Sequence, residues 1–172
     1  IIAFCGDHGE ELGEHGNRSH YFLPYEHNIG IPMLYRMSDG KSARIKGLTT
    51  LLDVAPTLSA LAGLPPNPEW EGCPVTDKSI GARDHVIVEC FYGGNCLFQD
   101  RPIYIGVRTR THKYFWKEYR DPKDWQSRDG DELYDLIADP GEQDNIYRPD
   151  HPALPKLQQL VANRLAEIPE VD

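Results

Sequence analysis

Chemically active side chains are most concentrated near the start of the chain, between residues 7 and 20. This stretch contains four carboxylates and three imidazoles in fourteen residues. Carboxylate oxygens suit any divalent cation, whereas imidazole nitrogen favours zinc, manganese or iron over calcium. Composition alone fits a metal site and a solvated acidic loop equally well. The residues concerned are Asp7, His8, Glu10, Glu11, Glu14, His15 and His20.

Asp7 and His8 directly follow a short apolar run, residues 1–5. The run predicts a strand buried on both faces of a parallel sheet, with Cys5 as a small buried apolar residue. Open α/β sheets place their ligands at the carboxyl ends of strands. Because a tight turn lets consecutive side chains converge, Asp7 and His8 can face one cation, and the neighbouring glycines allow the backbone to approach a ligand closely.

Other elements must position this loop. A second strand is predicted over residues 31–35, with a proline near its start. A helix is predicted over residues 53–63, with Asp53 as its N-cap and Gly63 as its stop. Its apolar residues recur at helical spacing, so the helix has one face to bury.

A proline-rich stretch, residues 64–72, breaks regular structure and indicates a boundary. We therefore expect two parts, residues 1–72 and residues 73–172. The second part is rich in β-branched and aromatic residues and ends in an amphipathic segment, which favours a small antiparallel α+β unit. Its predicted elements are strands over residues 85–91 and 132–136, a hairpin over residues 104–116 and a helix around residues 157–168.

Composition excludes several classes of protein. The chain is 40% hydrophobic and 26% charged, which is typical of globular proteins, and its net charge of −9 argues against a nucleic-acid partner. No apolar run is long enough to predict a membrane span. Four cysteines show no metal-binding spacing and leave the redox compartment open. Because the first residue is Ile1 and no signal peptide follows, we expect the chain to begin inside a longer protein.

The order of the motifs resembles that of the sulfatase family, within the alkaline-phosphatase superfamily. Residues 7–16, followed by His20, are similar to that family's Asp-His-Gly and Leu-Gly-Glu-His-Gly metal motif. Residues 50–63 resemble its next helix, and residues 107–114 resemble its arginine-lysine hairpin. Residues 132–145 resemble its late Glu-Leu-Tyr-Asp-Leu-x-x-Asp-Pro-x-Glu-x-x-Asn signature. These collinear motifs cover nearly the whole chain.

The resemblance implies the C-terminal part of an alkaline-phosphatase-like α/β sandwich, followed by a small antiparallel α+β subdomain with a C-terminal helix. It implies that Asp7 and His8 bind a divalent metal, calcium in the first place, with manganese or zinc as alternatives. It also implies that His20 is the catalytic residue that contacts the sulfate group. That position usually holds a lysine, and a histidine there is similar to phosphodiesterase and phosphoethanolamine-transferase relatives. An imidazole can donate to a sulfuryl oxygen or protonate a leaving group.

The family's nucleophile lies in a Cys/Ser-x-Pro-x-Arg segment, where it is converted to formylglycine. No such segment occurs in these 172 residues. The resemblance therefore implies a sulfuric ester hydrolase acting on a sulfated small molecule or glycan, with its nucleophile in an absent N-terminal half. We expect the chain alone to be inactive. Two alternatives stay open: a phosphoryl-transfer enzyme, and a non-catalytic module whose exposed sheet edge needs a partner.

The remaining polar residues are assigned structural roles. His15 and His27 are predicted on the surface of a loop or helix, and the three glutamates of the loop are predicted to face solvent or to brace a metal ligand. Arg108, Arg110 and Lys113 are predicted to alternate on the exposed face of the hairpin, with a place at the border of a substrate pocket as the alternative.

Overall fold

The computed structural model describes residues 1–16, 18–20, 24–38, 40, 42–90, 104–117 and 130–168. The described elements are strands and helices in mixed order, with two short 3-10 turns at Glu14–Gly16 and Leu51–Asp53. The strands are β1 (Ile2–Cys5), β2 (Glu11–Leu12), β3 (Arg18–Ser19), β4 (Met33–Arg36), β5 (His85–Cys90), β6 (Tyr104–Thr109), β7 (His112–Lys117) and β8 (Glu132–Asp135). The helices are α1 (Glu26–Ile29), α2 (Val54–Leu61), α3 (Ser79–Ala82) and α4 (Leu154–Glu167). No helix among the described residues is both long and apolar enough to cross a membrane.

The largest sheet has four antiparallel strands in the order β5-β6-β7-β8. The predicted hairpin is confirmed, because β6 and β7 pair directly and are joined by a turn at residues 110–111. One face of the sheet packs on α4. A single core cluster joins the two elements, formed by Ile105, Val107, Tyr114, Leu133, Leu154, Leu157 and Val161. Each aliphatic side chain of the cluster contributes about 1.5–3 kcal/mol by leaving water, so the cluster stabilises the packing of α4 on the sheet.

Helix α4 confirms the predicted C-terminal helix. Pro155 lies in its first turn, where proline costs no hydrogen bond. Leu157 and Val161, four positions apart, are buried against the sheet, and Leu160 and Leu165 lie partly buried beside them. Helical spacing places these residues on one face, which is why the pattern predicted the helix correctly.

Strand β1 differs from its prediction. It pairs antiparallel with β4, from Ile2 opposite Arg36 to Cys5 opposite Met33, in a two-stranded sheet. Ile2 is 64% exposed and Phe4 is 60% exposed, so the prediction of a doubly buried strand in a parallel sheet is wrong for this chain. Cys5 is exposed as well. An apolar run indicates that a strand can be buried, but burial requires a covering layer, and the described residues provide none over β1.

The start of helix α2 also differs in detail. The backbone N–H of Thr50 donates to Oδ2 of Asp53 over 2.8 Å, and residues 51–53 form a 3-10 turn before the helix. Asp53 precedes α2 at the predicted N-cap position, but its side chain makes no capping bond to that helix. It is instead the N3 residue of a capping box that begins at Thr50. Its carboxylate, fully buried, also accepts hydrogen bonds from Arg83 over 2.6 and 2.8 Å. Gly63 has a φ of +72°, as the predicted helix stop requires.

Residues just beyond the predicted boundary at residue 72 pack back onto α2. The N–H of Cys73 donates to Oδ1 of Asp53 over 3.0 Å, and the N–H of Val75 donates to Oγ1 of Thr57 over 2.9 Å. These bonds tie the two parts of the chain together, and the division into residues 1–72 and 73–172 stays a prediction.

Candidate functional site

The loop after β1 brings the side chains of Asp7 and His8 together, as their adjacency predicts. Oδ2 of Asp7 lies 3.7 Å from Nε2 of His8, and both side chains face solvent. Two ligand atoms at that separation can share one divalent cation, because each would lie about 2.0–2.5 Å from it. The backbone N–H of His8 donates to Oδ1 of Asp7 over 3.0 Å, and this bond lowers the pKa of Asp7. The carboxylate is thus held in its charged, metal-binding form.

His20 returns to the same loop through a short hairpin. Strands β2 and β3 pair with Glu11 opposite Ser19, which places His20 next to the residues after β1. The rings of His8 and His20 have centroids 4.1 Å apart, and Nδ1 of His20 lies 2.8 Å from Oε1 of Glu10. His8, Glu10 and His20 each offer a ligand atom, and these three atoms all lie within 4.8 Å of one another. The structure therefore joins the predicted metal ligands to the predicted catalytic histidine.

Gly9 allows the backbone of this loop to lie directly against α1. Its backbone N–H donates to the carbonyl of Asn28 over 2.7 Å. A Cβ at Gly9 would lie 1.9 Å from the carbonyl oxygen of His27, so no other residue fits there without moving the backbone. The close approach that the glycine permits is to the chain's own helix. We call residues 6–10 the metal loop, after the predicted ligands Asp7 and His8. The backbone of this loop is held on α1, while the side chains of Asp7 and His8 stay open to solvent.

The surface position expected of His15 is wrong, and Glu11 is buried rather than facing solvent. Nδ1 of His15 lies 2.9 Å from Oε1 of Glu11, and their side chains are only 3% and 0% exposed. The ring of His15 also stacks on Tyr25, with centroids 3.8 Å apart. Both side chains point inward because the hairpin folds back over Tyr25. The pair braces the metal loop from inside the protein.

Two residues with unusual backbone meet at this brace. His15 has φ 52° and Glu142 has φ 54°, a left-handed conformation that costs non-glycine residues of the order of 1–3 kcal/mol. Nε2 of His15 lies 2.9 Å from the carbonyl oxygen of Glu142. A strained backbone persists where the surrounding contacts stabilise it. Here the left-handed backbone of His15 directs its imidazole toward the Asp-Pro-Gly-Glu turn, residues 139–142. Nothing in the local spacing predicts a contact across 127 positions.

Lys113, expected on the exposed face of the hairpin, is buried and Arg108 is partly buried, whereas Arg110 is exposed as predicted. Lys113 is 1% exposed, and its Nζ lies 2.6 Å from Oε1 of Glu142 and 2.9 Å from Oε1 of Glu26. Arg108, half-buried, donates from Nε to the same oxygen of Glu26 over 2.8 Å. The four residues form a charge-balanced cluster of two cations and two carboxylates. This buried ion-pair cluster joins the hairpin to α1 and to the turn before α4.

The two carboxylates of the buried ion-pair cluster differ electrostatically. Burial raises the pKa of Glu142 above its usual value, and the charge of Lys113 offsets this only in part. Burial also acts to raise the pKa of Glu26, but Lys113 and Arg108 together outweigh it and hold that pKa below its usual value. Glu26 thus carries the more firmly fixed negative charge.

A cleft of about 660 Å³ opens beside the metal loop. Asp7 and His8 line it together with Glu26, Glu89 and Arg108. Clefts of this size accommodate small organic molecules. The candidate ligands therefore border a space that a substrate portion can enter.

Residues 1–64 match the sequence model of the family described as Sulfatase. A curated relative, the Delta 4,5-hexuronate-2-O-sulfatase of Bacteroides thetaiotaomicron, is 24% identical over 173 residues. The match covers 96% of this chain and 33% of the relative. The chain therefore spans about a third of the length of that relative.

Solved structures show a similar fold. A protein solved in complex with its substrate D-glucosamine-2-N,6-O-disulfate matches with a TM-score of 0.65 and 23% identity, over 96% of this chain and 33% of that one. A 2-O GAG sulfatase matches with a TM-score of 0.62 and 22% identity, over 96% of this chain and 34% of that one. The chain thus has the fold of the C-terminal portion of these proteins.

Proposed function

We propose that this chain, which matches the Sulfatase family model over residues 1–64 and corresponds to the C-terminal portion of its homologues, contributes metal and substrate ligands to a sulfuric ester hydrolase. The observation that carries the proposal is the convergence of Asp7, His8 and His20 at the end of β1. Two of the similar proteins are described as sulfatases and a third was solved with a sulfated glucosamine. We therefore propose a sulfated glycan or sulfated small molecule as the substrate.

Asp7 and His8 would hold a divalent cation, calcium in the first place, with manganese or zinc as alternatives. When bound, such a cation acts as a Lewis acid toward a sulfate oxygen and orients the ester. Calcium takes six to eight oxygen ligands, and Asp7 supplies only one carboxylate here. The remaining ligands and the formylglycine nucleophile would come from the N-terminal part of a longer protein. This division of ligands is why we propose that the chain alone is inactive.

His20 would contact the transferring group. Its Nδ1 is held at 2.8 Å by Oε1 of Glu10, which fixes the orientation of the ring. An imidazole in that position can donate a hydrogen bond to a sulfuryl oxygen or deliver a proton to the departing alcohol. The half-exposed ring can reach a substrate without a rearrangement of the backbone.

Replacement of Asp7 in the longer protein tests the assignment. Asp7→Ala should abolish the metal-dependent hydrolysis of a sulfated aryl ester. Asp150→Ala is the matched control, because both carboxylates are 88% exposed and Asp150 lies far from the loop in sequence. Near-normal turnover by Asp7→Ala, with the same metal dependence as Asp150→Ala, would remove the basis for the proposal.

Phosphoryl transfer is the second candidate, and His20 is the observation that favours it, since lysine is usual at that position in sulfatases. Paired assays with the sulfate and phosphate esters of one phenol separate the two candidates. We expect faster turnover of the sulfate ester by the longer protein. Faster turnover of the phosphate ester would assign the site to phosphoryl transfer instead.

A further inference from the structure

We propose that His8, Glu10 and His20 form a binding site for a late first-row transition metal ion such as Zn²⁺, which this chain binds by itself. The ligand set differs from the Asp7–His8 pair above, because Glu10 and His20 here become metal ligands. His20 then serves as a ligand in the zinc-bound chain rather than as a substrate contact. The inference uses the same loop as the proposed function but does not depend on ester hydrolysis.

The geometry is close to that of a bound ion. The three ligand atoms lie within 4.8 Å of one another, and tetrahedral zinc, at about 2.0–2.1 Å from its ligands, places them about 3.3 Å apart. The difference is small enough for side-chain rotation to close, because all three residues are exposed. The rings of His8 and His20 already lie 4.1 Å apart. The pairing of β2 with β3 already holds the backbone near His20 beside the metal loop. Metal binding therefore has to order little more than the three side chains.

The hydrogen bonding of His8 also suits a ligand. Its Nδ1 lies 2.9 Å from the carbonyl oxygen of Gly9. A histidine that donates Nδ1–H to a carbonyl presents a lone pair on Nε2, which is the usual arrangement of metal-binding histidines. Gly9 is in turn fixed by its bond to Asn28. The orientation of the His8 ring is therefore set by the fold before any ion arrives.

The donor types favour zinc over calcium. Two imidazoles and one carboxylate match the ligand sets of zinc, whereas calcium selects oxygen. Oδ2 of Asp7 lies 3.7 Å from Nε2 of His8 and can approach the same ion as a fourth ligand. Without Asp7, three protein ligands leave one position for water, as in catalytic zinc sites.

The competing explanation is a hydrogen-bonded surface cluster whose affinity is no greater than that of any two neighbouring histidines. The chain offers an internal comparison for this. His112 and His151 also have neighbouring rings, with centroids 5.8 Å apart. That pair carries the same imidazoles outside the proposed site. A replacement of His151 therefore controls for the loss of one surface imidazole.

Calorimetric titration of ZnCl₂ into the full 172-residue chain tests the site. We expect one saturable site in the unaltered chain. His20→Gln and Glu10→Gln should each weaken it at least tenfold, since loss of even an outer-shell partner costs about 10–100-fold in affinity. His151→Gln should leave the affinity unchanged. Equal affinities in the unaltered chain and His20→Gln, or no saturable binding, would overturn the proposal.

Cobalt substitution identifies the ligands independently. Co²⁺ bound by nitrogen and oxygen shows visible d–d bands without thiolate charge transfer, and we expect these bands to disappear in His20→Gln. Thiolate charge transfer would instead place the ion on a cysteine and would also overturn the proposal. The circular dichroism of each variant confirms folding, and the three side chains are exposed, so their replacement leaves the core intact.

Failure of this inference and failure of the proposed function are distinguishable. The zinc titration reports on Glu10 and His20 in the chain alone, whereas the Asp7→Ala assay reports on turnover by the longer protein. Zinc binding with normal turnover in Asp7→Ala would keep the inference and reject the function. The reverse pair of results would reject only the inference.

Discussion

The ammonium nitrogen of Lys113 lies 2.6 Å from Oε1 of Glu142, and the side chains of both residues are almost completely buried. The other carboxylate oxygen of Glu142 accepts the backbone N–H of Glu26 over 2.6 Å. One ion pair thus fastens hairpin β6–β7 both to helix α1 and to the turn that carries Glu142. Since α1 supports the metal loop through Asn28 and Gly9, the pair lies at the base of the candidate site.

Lys113→Met should destabilise the protein by about 3–5 kcal/mol, because it leaves the buried carboxylate of Glu142 and the partly buried carboxylate of Glu26 without their shared cation. Methionine keeps most of the side-chain volume, so the loss is electrostatic rather than a cavity effect. Urea unfolding followed by circular dichroism measures the change. Lys156→Met is the control: its ion pair with Asp84 is 2.8 Å long but Lys156 is 64% exposed, and such pairs contribute at most about 1 kcal/mol. Equal losses in the two variants would contradict the role of burial.

Asp53 should make stability depend on pH in the acid range. Burial acts to raise its pKa, but the hydrogen bonds from Arg83 and from two backbone N–H groups outweigh burial and hold the pKa below the usual value of 3.8. A pKa lowered by folding stabilises the protein above the unfolded value and ceases to do so as the pH falls through the folded value. Asp53→Asn should therefore lower the melting temperature at neutral pH and reduce its decline below about pH 4.

Thermal melts of the unaltered chain and Asp53→Asn between about pH 2 and pH 7 measure this dependence. Asp150→Asn is the control, because its carboxylate is 88% exposed. Parallel curves for the unaltered chain and Asp53→Asn would show that the Asp53–Arg83 pair does not govern the acid transition.

His15→Asn should loosen the metal loop from within. Asparagine tolerates the left-handed backbone of His15 but cannot reach both Glu11 and the carbonyl of Glu142. The other oxygen of Glu11, Oε2, has no hydrogen-bond partner among the described residues, so the variant leaves the buried carboxylate poorly paired. We expect a loss of about 1–3 kcal/mol and faster amide hydrogen exchange across residues 11–28. His151→Asn should change neither the stability nor the exchange rates. Unchanged amide exchange in His15→Asn would refute the role of His15 in bracing the metal loop.

The exposed sheet of β1 and β4 should make the chain associate in solution. Phe4 and Leu34 are directly opposite each other on the two strands, and each is 60% exposed. Exposed apolar patches and unpaired sheet edges favour association. Light scattering should show a mass that rises with concentration, and Phe4→Ser combined with Leu34→Ser should reduce that rise. If the unaltered chain stays a monomer at every concentration, this surface needs no partner. That result would weaken the alternative of a non-catalytic module whose sheet edge is covered by a partner.

The amino-acid sequence by itself determined the features that depend on near neighbours. Asp7 and His8 converge because they are adjacent in a turn, and the turn between β6 and β7 follows the pattern of its flanking strands. Helix α4 forms where apolar residues recur at helical spacing. The collinear motifs also predicted the fold, which the chain shares with the C-terminal portion of the similar solved structures. Each of these predictions rests on residues close together in sequence or on the order of several motifs along the chain. Both can be read before the chain folds.

Only the tertiary structure decided which charged residues are buried. His15 and Lys113 have the residue types and spacing of surface positions, yet each is enclosed because a carbonyl or an opposite charge arrives from a distant segment. Glu11 is buried with its neighbour His15. Conversely, the apolar strand β1 is exposed because the described residues place no layer over it. Burial of a side chain depends on what packs against it, and long-range packing leaves no periodic trace in the sequence.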